Sequence, residues 1–327
     1  MTTVLVTGGA GYIGSHAVLA LRDAGHAPVV LDNLSTGFSE AAPEGVPMEI
    51  GDVGDRAFAA EVLKRHGVGA VMHFAGSIIV PESVTDPTTY YRNNTVASLN
   101  LIQACLDAGV GAFVFSSSAA VYGDAEHAPV SETDPTAPIN PYGASKLMTE
   151  RMLFDVARAH PSFRPVALRY FNVAGADPAG RAGQRTRKPT HLVQLAVETA
   201  LGRRPTLDIY GEDYPTRDGT CERDYVHVTD LAAAHVAALA YLEAGGAPEA
   251  MNCGYGRGLT VKEVIACLER VAGRPVDKRT APRRPGDPPI LVADPSKLMR
   301  LLDWTPAHAD IDEILQTALD WQRRLNG

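Results

Sequence analysis

Thr3-Val4-Leu5-Val6-Thr7-Gly8-Gly9-Ala10-Gly11-Tyr12-Ile13-Gly14 decides the fold. Its first five residues form an apolar run closed by glycine, the pattern of a strand buried on both faces of a parallel sheet. Helical patterning follows over residues 15–24, with Val18, Leu19 and Leu21 apolar and Arg22 and Asp23 polar. Between strand and helix, Gly9, Gly11 and Gly14 satisfy GxGxxG, while Gly8, Gly11 and Gly14 satisfy GxxGxxG. Glycines in such a turn let the backbone approach a pyrophosphate at the helix N-terminus. A second strand, Pro28-Val29-Val30-Leu31, ends in Asp32, 18 residues after Gly14. A carboxylate at that place accepts hydrogen bonds from an adenosine ribose. Asn33 follows it with no arginine, which favours NAD over NADP.

Outward from this unit the alternation continues. Met48-Glu49-Ile50-Gly51-Asp52, Ala70-Val71-Met72-His73-Phe74, Ala112-Phe113-Val114-Phe115 and Val166-Ala167-Leu168-Arg169-Tyr170 read as strands. Helical stretches lie between them at 56–66, 88–108 and 142–160. Strands alternating with helices imply right-handed βαβ units, and so an α/β fold with a Rossmann-type doubly wound parallel sheet. Ligands of such sheets sit beyond the carboxyl ends of the strands. Asp52, Phe74-Ala75-Gly76, Ser116-Ser117-Ser118 and Asn172 fall at those ends.

Pro141-Tyr142-Gly143-Ala144-Ser145-Lys146 places a phenol and an amine four positions apart at a helix start, hence on one face. Asn140 suits the cap and Pro141 the first helical position. A free tyrosine titrates near pH ~10, but a cation beside it favours the phenolate. YxxxK alone is a common pattern; its weight comes from the dinucleotide unit ahead of it.

Composition bounds the rest. The chain has 327 residues, 45% of them hydrophobic, and a formal net charge of −8. That length allows one large domain or two smaller ones. The acidic balance argues against a nucleic-acid binder. No stretch approaches the ~20 apolar residues that span a bilayer, so no membrane partner is expected. Met1-Thr2-Thr3 leads straight into the first strand, and Cys105, Cys221, Cys253 and Cys267 show no CxxC pairing. Reduced thiols in a cytoplasmic protein are the expectation. The ten histidines form no ligand-spaced cluster, and no metal is expected.

After Asn172 the texture changes. Residues 174–189 and 211–223 are loop-like, a helix follows over 228–244, a basic Pro-rich loop occupies 281–289, and an amphipathic helix closes the chain at 311–325. We expect an NAD-binding domain of residues 1–172, with 224–250 packed on it. The smaller C-terminal substrate-binding lobe comprises 173–223 and 251–327. Arg223, Arg283 and Arg284 stand out, because guanidinium groups recognise phosphate by paired hydrogen bonds. The basic stretch 181–188 reads as a mobile loop.

The whole chain resembles the UDP-glucose 4-epimerases of the extended short-chain dehydrogenase/reductase family. The opening residues 4–16 carry part of the likeness. More specific are Phe115-Ser116-Ser117-Ser118-Ala119-Ala120-Val121-Tyr122-Gly123, Arg169-Tyr170-Phe171-Asn172 and Asp213-Tyr214-Pro215-Thr216-Arg217-Asp218-Gly219-Thr220, the last continuing through Arg223-Asp224-Tyr225-Val226-His227-Val228. The resemblance implies reversible 4-epimerisation of UDP-galactose and UDP-glucose through a 4-keto sugar, with NAD as transient hydride acceptor and a homodimeric assembly. Ser118, Tyr142 and Lys146 would be catalytic. Gly8, Gly11, Tyr12, Ile13, Gly14, Asp32, Asn33, Asp52, Val53, Phe74, Ala75, Gly76, Asn93 and Phe171 would join them in holding the cofactor. Asn172, His191, Leu207, Ile209, Tyr210, Arg223, Arg284, Asp287 and Leu291 would hold the UDP-sugar.

Three positions depart from the family pattern. Ile78 stands where many relatives have a cofactor-contacting lysine, and His191 where they often have asparagine. Leu291 is intermediate between the bulky residue that excludes N-acetylated sugars and the small one that admits them. A 4-epimerase of UDP-N-acetylglucosamine or of a UDP-pentose therefore stays open as an alternative, as does a non-catalytic sensor of NAD and nucleotide sugar. A 4,6-dehydratase would need an acidic pair where Ala119-Ala120 stand.

Overall fold

Val4 and Val6 pack into one hydrophobic cluster and Leu5 into another, the two-residue alternation of a strand with helices on both sides. That strand lies at the centre of the computed structural model, which describes residues 1–186, 189–284 and 286–325. The first half of the chain runs β1 (Thr3–Thr7), α1 (Tyr12–Asp23), β2 (Ala27–Asp32), β3 (Met48–Ile50), α2 (Arg56–Arg65), β4 (Ala70–His73), α3 (Val80–Thr85), α4 (Pro87–Tyr90), a π-helical segment (Tyr91–Val96), α5 (Ala97–Ala108), β5 (Ala112–Ser116), α6 (Pro141–Ala159) and β6 (Arg164–Tyr170). The second half adds β7 (Asn172–Ala174), α7 (Leu192–Ala200), β8 (Leu207–Tyr210), β9 (Glu222–His227), α8 (Val228–Glu243), β10 (Glu249–Cys253), β11 (Gly258–Thr260), α9 (Val261–Ala272), β12 (Lys278–Ala281), β13 (Ile290–Leu291), α10 (Ser296–Leu302) and α11 (Ile311–Arg324).

Seven strands form the main sheet in the order β10-β6-β5-β4-β1-β2-β3, every pair parallel. The order reverses at β1, which pairs with β2 on one side and β4 on the other, and a crevice opens at such a switch point. Leu21, Leu231, Leu239, Leu298 and Trp304 pack with one face; Val62, Leu101, Ile102 and Leu153 pack with the other. A third cluster, built on Val193, Val264, Leu268, Ile314 and Leu319, gives α7, α9 and α11 a core of their own. Short sheets carry this smaller lobe: β11-β9-β13 with β7 on β9, and β8 with β12.

Several elements differ from the sequence reading. α1 starts at Tyr12, three residues early, because Gly11 itself is the N-cap and no side chain closes the helix end. The expected single helix over 88–108 is interrupted by the π-helical segment. β9 begins at Glu222, inside a stretch read as loop. β10 extends the main sheet to Cys253, and Leu298 of α10 packs in the main-sheet core although its segment was expected in the smaller lobe. Arg187 and Lys188 of the basic stretch, and Pro285 of the basic loop, lie outside the described residues.

Candidate active site

α6 presents the Tyr142/Lys146 pair in its first two turns. The Asn140 side chain accepts from Gly143 N at 2.8 Å, and Pro141 takes the first position. Tyr142 is buried. Burial raises its phenol's pKa above the ordinary value, and a hydrogen bond with Ser118 pulls the other way. Ser118 is in turn fixed by accepting from Ala120 N at 3.2 Å. Lys146 is also buried; its Nζ donates to Ser116 O at 2.9 Å and sits 5.0 Å from the centre of the Phe115 ring. Burial lowers the ammonium's pKa to about 8, against the charge of Glu150. The expected lowering of the Tyr142 pKa is therefore not a property of these side chains alone. Desolvation outweighs the Ser118 hydrogen bond, and the phenolate needs a further cation in the pocket.

A cavity of about 850 Å³ lies over the switch point. Gly8, Gly11, Tyr12, Ile13, Gly14, Asp32, Asn33, Asp52, Val53, Phe74, Ala75, Gly76, Asn93, Ser118, Tyr142 and Phe171 line it. So do Asn172, His191, Leu207, Tyr210, Arg223, Arg284, Asp287 and Leu291. The fold thus brings together residues spread over the chain from Gly8 to Leu291. Lys146 lies beneath the lining rather than in it.

The glycine turn is shaped for close approach. A side chain at Gly8, whose φ is +70°, would strike Ala75 backbone, and one at Gly14 would overlap Gly8 O. β1, α1 and the loop after β4 can meet only without them. α1 is left with uncapped backbone N–H groups facing the cavity, suited to a pyrophosphate. Asp32 is held by Ala10 N at 3.0 Å and Leu34 N at 2.8 Å, one to each carboxylate oxygen. Its charge would repel a 2′-phosphate, so the site fits NAD rather than NADP.

On the opposite wall, Arg223 is buried and donates to Asp287, to Pro288 O at 2.6 Å and to Glu222 O at 2.8 Å. Arg284 stacks on the Tyr210 ring with its guanidinium carbon 3.8 Å from the ring centre. His191 Nδ1 lies 3.3 Å from Gln184 Nε2, and burial, then Arg284, lower its pKa. Ile78, at the family's lysine position, is exposed at the cavity rim and brings no charge.

Two expectations are corrected. Ile209 does not line the cavity: its side chain packs into the smaller lobe's core, while its β8 neighbours Leu207, Asp208 and Tyr210 reach the lining. Arg283 is not with Arg223 and Arg284; its Nε donates to Asp213 Oδ1 at 2.7 Å, and it stacks on Tyr214. Sequence reasoning also missed Cys221 and Tyr225, which line the cavity two residues either side of Arg223. Two-residue spacing along a strand would have found them, had 211–223 not been read as loop. Among the described residues no three of His, Cys, Asp or Glu are grouped to hold a metal, and no helix is long and apolar enough to cross a membrane.

The model of the NAD-dependent epimerase/dehydratase family matches residues 4–254. The chain belongs to that family. Among its relatives, the UDP-glucose 4-epimerase of Azospirillum brasilense is 58% identical, covering 98% of this chain and 92% of the relative. The crystal structure of the Brucella ovis UDP-glucose 4-epimerase in complex with NAD is 45% identical, covers 98% of each chain and superposes with a TM-score of 0.94. The UDP-Glc/GlcNAc 4-epimerase of Campylobacter jejuni, also 45% identical, gives 0.86 over 99% of this chain and 100% of that one. Membership accounts for the switch-point cavity and for the glycine turn that opens it.

Proposed function

We propose that this epimerase-family chain interconverts UDP-galactose and UDP-glucose by inverting C4 through a 4-keto sugar, with tightly held NAD. One observation carries the reading: Ser118 and Tyr142 face a single cavity whose walls include both the Gly8–Gly14 turn with Asp32 and the Arg223, Arg284 and Asp287 group. A dinucleotide and a nucleoside diphosphate sugar can meet there over one acid–base pair.

NAD, when bound, supplies a reversible hydride acceptor for C4. Gly8, Gly11, Tyr12, Ile13 and Gly14 hold its pyrophosphate, Asp32 and Asn33 its adenosine ribose, Asp52 and Val53 its adenine. Phe74, Ala75, Gly76, Asn93 and Phe171 line the rest of its bed, with Lys146 beneath them. Tyr142, as phenolate, accepts the proton of the 4-hydroxyl and later returns it. Ser118 holds the same oxygen and relays that proton. Lowering the phenol's pKa by ~3 units corresponds to about 4 kcal/mol of differential stabilisation, within reach of Lys146 together with a cationic ring. Arg223, Arg284 and Asp287, with Asn172, His191, Leu207 and Tyr210, anchor the nucleotide diphosphate while the hexose turns. Leu291 bounds the space for the sugar's substituents.

Proton NMR of purified protein with UDP-galactose and, separately, with UDP-N-acetylgalactosamine, without added NAD, tests the reading. Conversion of the first to its 4-epimer is expected, with NAD recovered from denatured protein. Failure on both, even with NAD added, would refute it. Conversion of both would extend the substrate range to N-acetylated sugars, the property named for the Campylobacter jejuni neighbour.

A cytoplasmic homodimer belongs to the same proposal. Its support in this chain is a set of exposed apolar side chains on neighbouring elements, namely Val96 at the end of the π-helical segment, Leu99 of α5 and Met148 of α6. The division into an NAD-binding part (1–172 with 224–250) and a UDP-sugar lobe is carried with it, α10 and the end of β10 being assigned to the NAD side.

A further inference from the structure

One turn beyond Lys146 on α6, Glu150 is buried to 2% exposure. Arg169 of β6 grips it along one edge, with Nε 3.0 and 3.2 Å from the two carboxylate oxygens and Nη2 2.7 Å from one of them. Ser117, the residue after β5, donates to the same carboxylate. The other edge of Arg169 donates to the Tyr122 hydroxyl at 3.0 Å, which donates to Asn252 Oδ1 at 2.7 Å. Asn252 Nδ2 closes the chain on Val130 O at 2.9 Å. Buried polar links thus tie α6 to β5, β6 and β10.

A buried ion pair is weak grounds for stability, since apolar side chains of similar volume often serve as well. Its position is more informative. Tyr142, Lys146 and Glu150 follow at four-residue spacing, so they lie on one face of α6. Three consecutive serines meet them: Ser118 bonds Tyr142, Ser116 O receives Lys146, and Ser117 bonds Glu150.

We propose that Glu150, clamped by Arg169 and Ser117, is a positioning residue for the reaction, fixing the Lys146 ammonium against Ser116 and keeping it charged one turn from Tyr142. This rests on the reading of Tyr142 and Lys146 as the working pair. Around the ammonium, His73 of β4 is neutral, its pKa lowered to about 3 by burial and then by Lys146. Tyr142, Tyr170 of β6, Tyr90 of α4 and Tyr122 are phenols whose pKa values burial pushes up. Arg169 is a second cation. Glu150 is the anion that bears on Lys146, and it opposes the burial that brings the amine to about 8.

The test is the pH profile of UDP-galactose epimerisation by NAD-loaded protein. Glu150→Gln is expected to move the basic limb of kcat down by about one pH unit or more, the scale of a nearby opposite charge. At pH 8.5 turnover should fall several-fold, about 8-fold for a displacement of one unit, and by much less at pH 6.5. Glu150→Asp keeps the charge and should restore the limb most of the way. The double variant E150Q/R169Q does not leave the Arg169 guanidinium buried without its carboxylate, so it is expected to fold even where E150Q does not, and, with Lys146 still lacking its anion, to keep a displaced limb. An unmoved limb in whichever of these folds, with loss uniform across pH or absent, overturns the proposal. Tyr142→Phe is run beside them. If it keeps near-normal turnover, the underlying reading fails; if it is inactive while the Glu150 variants keep the wild-type limb, only the role of Glu150 fails.

Discussion

A phenol buried as Tyr142 is loses the hydration that would stabilise its anion, so burial alone makes it a poor base. Ser118 recovers part of that loss by hydrogen bonding, and Lys146, committed to Ser116 O, acts from one turn away. The sequence spacing reveals which groups share a face, but not that the amine would be spent on a backbone carbonyl, because that depends on how β5 ends beneath α6. Tyr142→Phe removes the proton carrier while leaving the ring's packing in place. Turnover is expected to drop at least ~100-fold, the usual scale for a general acid–base, with little change in stability. Ser118→Ala should lose less, since Tyr142 still reaches the 4-hydroxyl. Steady-state kinetics on NAD-loaded protein, set beside thermal melts, separates the two; a Tyr142→Phe enzyme within threefold of wild type would remove the phenol from the mechanism.

At the scale of elements, what could be read was what repeats or punctuates locally. β1, the glycine turn, α1 and β2 follow from apolar runs and glycine spacing, and the start of α6 from Asn140 and Pro141. Elements decided by distant partners could not be read. Glu222–His227 mixes charge and apolar residues without alternation because β9 is buried from Arg223 to His227 and paired along its length with β11, β13 and β7. The π-helical segment Tyr91–Val96 is hidden for a similar reason. Its widened turn sits in an otherwise regular helical pattern, and its purpose shows only in space. Asn93 donates to Ser77 Oγ at 3.1 Å. Asn94 Oδ1 accepts from Ser77 N at 2.7 Å, while its Nδ2 serves Ser77 O at 3.0 Å and Ser145 Oγ at 2.9 Å. This staples the loop after β4, part of the cavity wall, to α6 just below Tyr142. Asn94→Ala should leave those groups unpaired at a cost of about 2–3 kcal/mol and reduce the NAD that copurifies. Melting temperature and NAD content after denaturation check this, and undiminished NAD would show that the loop holds its shape without the staple.

For the whole molecule, four buried histidines, His16 of α1, His73 of β4, His227 of β9 and His235 of α8, are expected to govern its acid limit. Burial lowers the pKa of His16 to about 4, His73 to about 3, His227 to about 3 and His235 to about 4. Each folded value lies below the unfolded one, near 6.5. The neutral ring therefore contributes stability that is present above pH ~6.5 and is lost as pH falls toward the folded pKa. At pH 5 each has lost about 2 kcal/mol relative to neutral pH, from 1.5 units at ~1.4 kcal/mol each. Asp224 works in the opposite direction. Burial raises its carboxyl to about 6, so its protonation below pH 6 returns on the order of 1 kcal/mol by pH 5. The four histidines together outweigh this by several kcal/mol, on the scale of the 5–15 kcal/mol that holds a typical protein folded. Calorimetry with NAD saturating at both pH values should show Tm lower by roughly 10 °C or more at pH 5 than at pH 7.5. His235 is the cleanest probe: it is fully buried, bonds Leu231 O through Nδ1 at 2.8 Å, and its Nε2 finds no partner among the described residues. His235→Gln removes the titrating group, so the gap between the two melting temperatures should narrow whatever the change in absolute stability. Equal melting temperatures for the wild type at the two pH values would mean that these rings exchange protons with water in the folded state at little cost, and that the acid limit lies elsewhere.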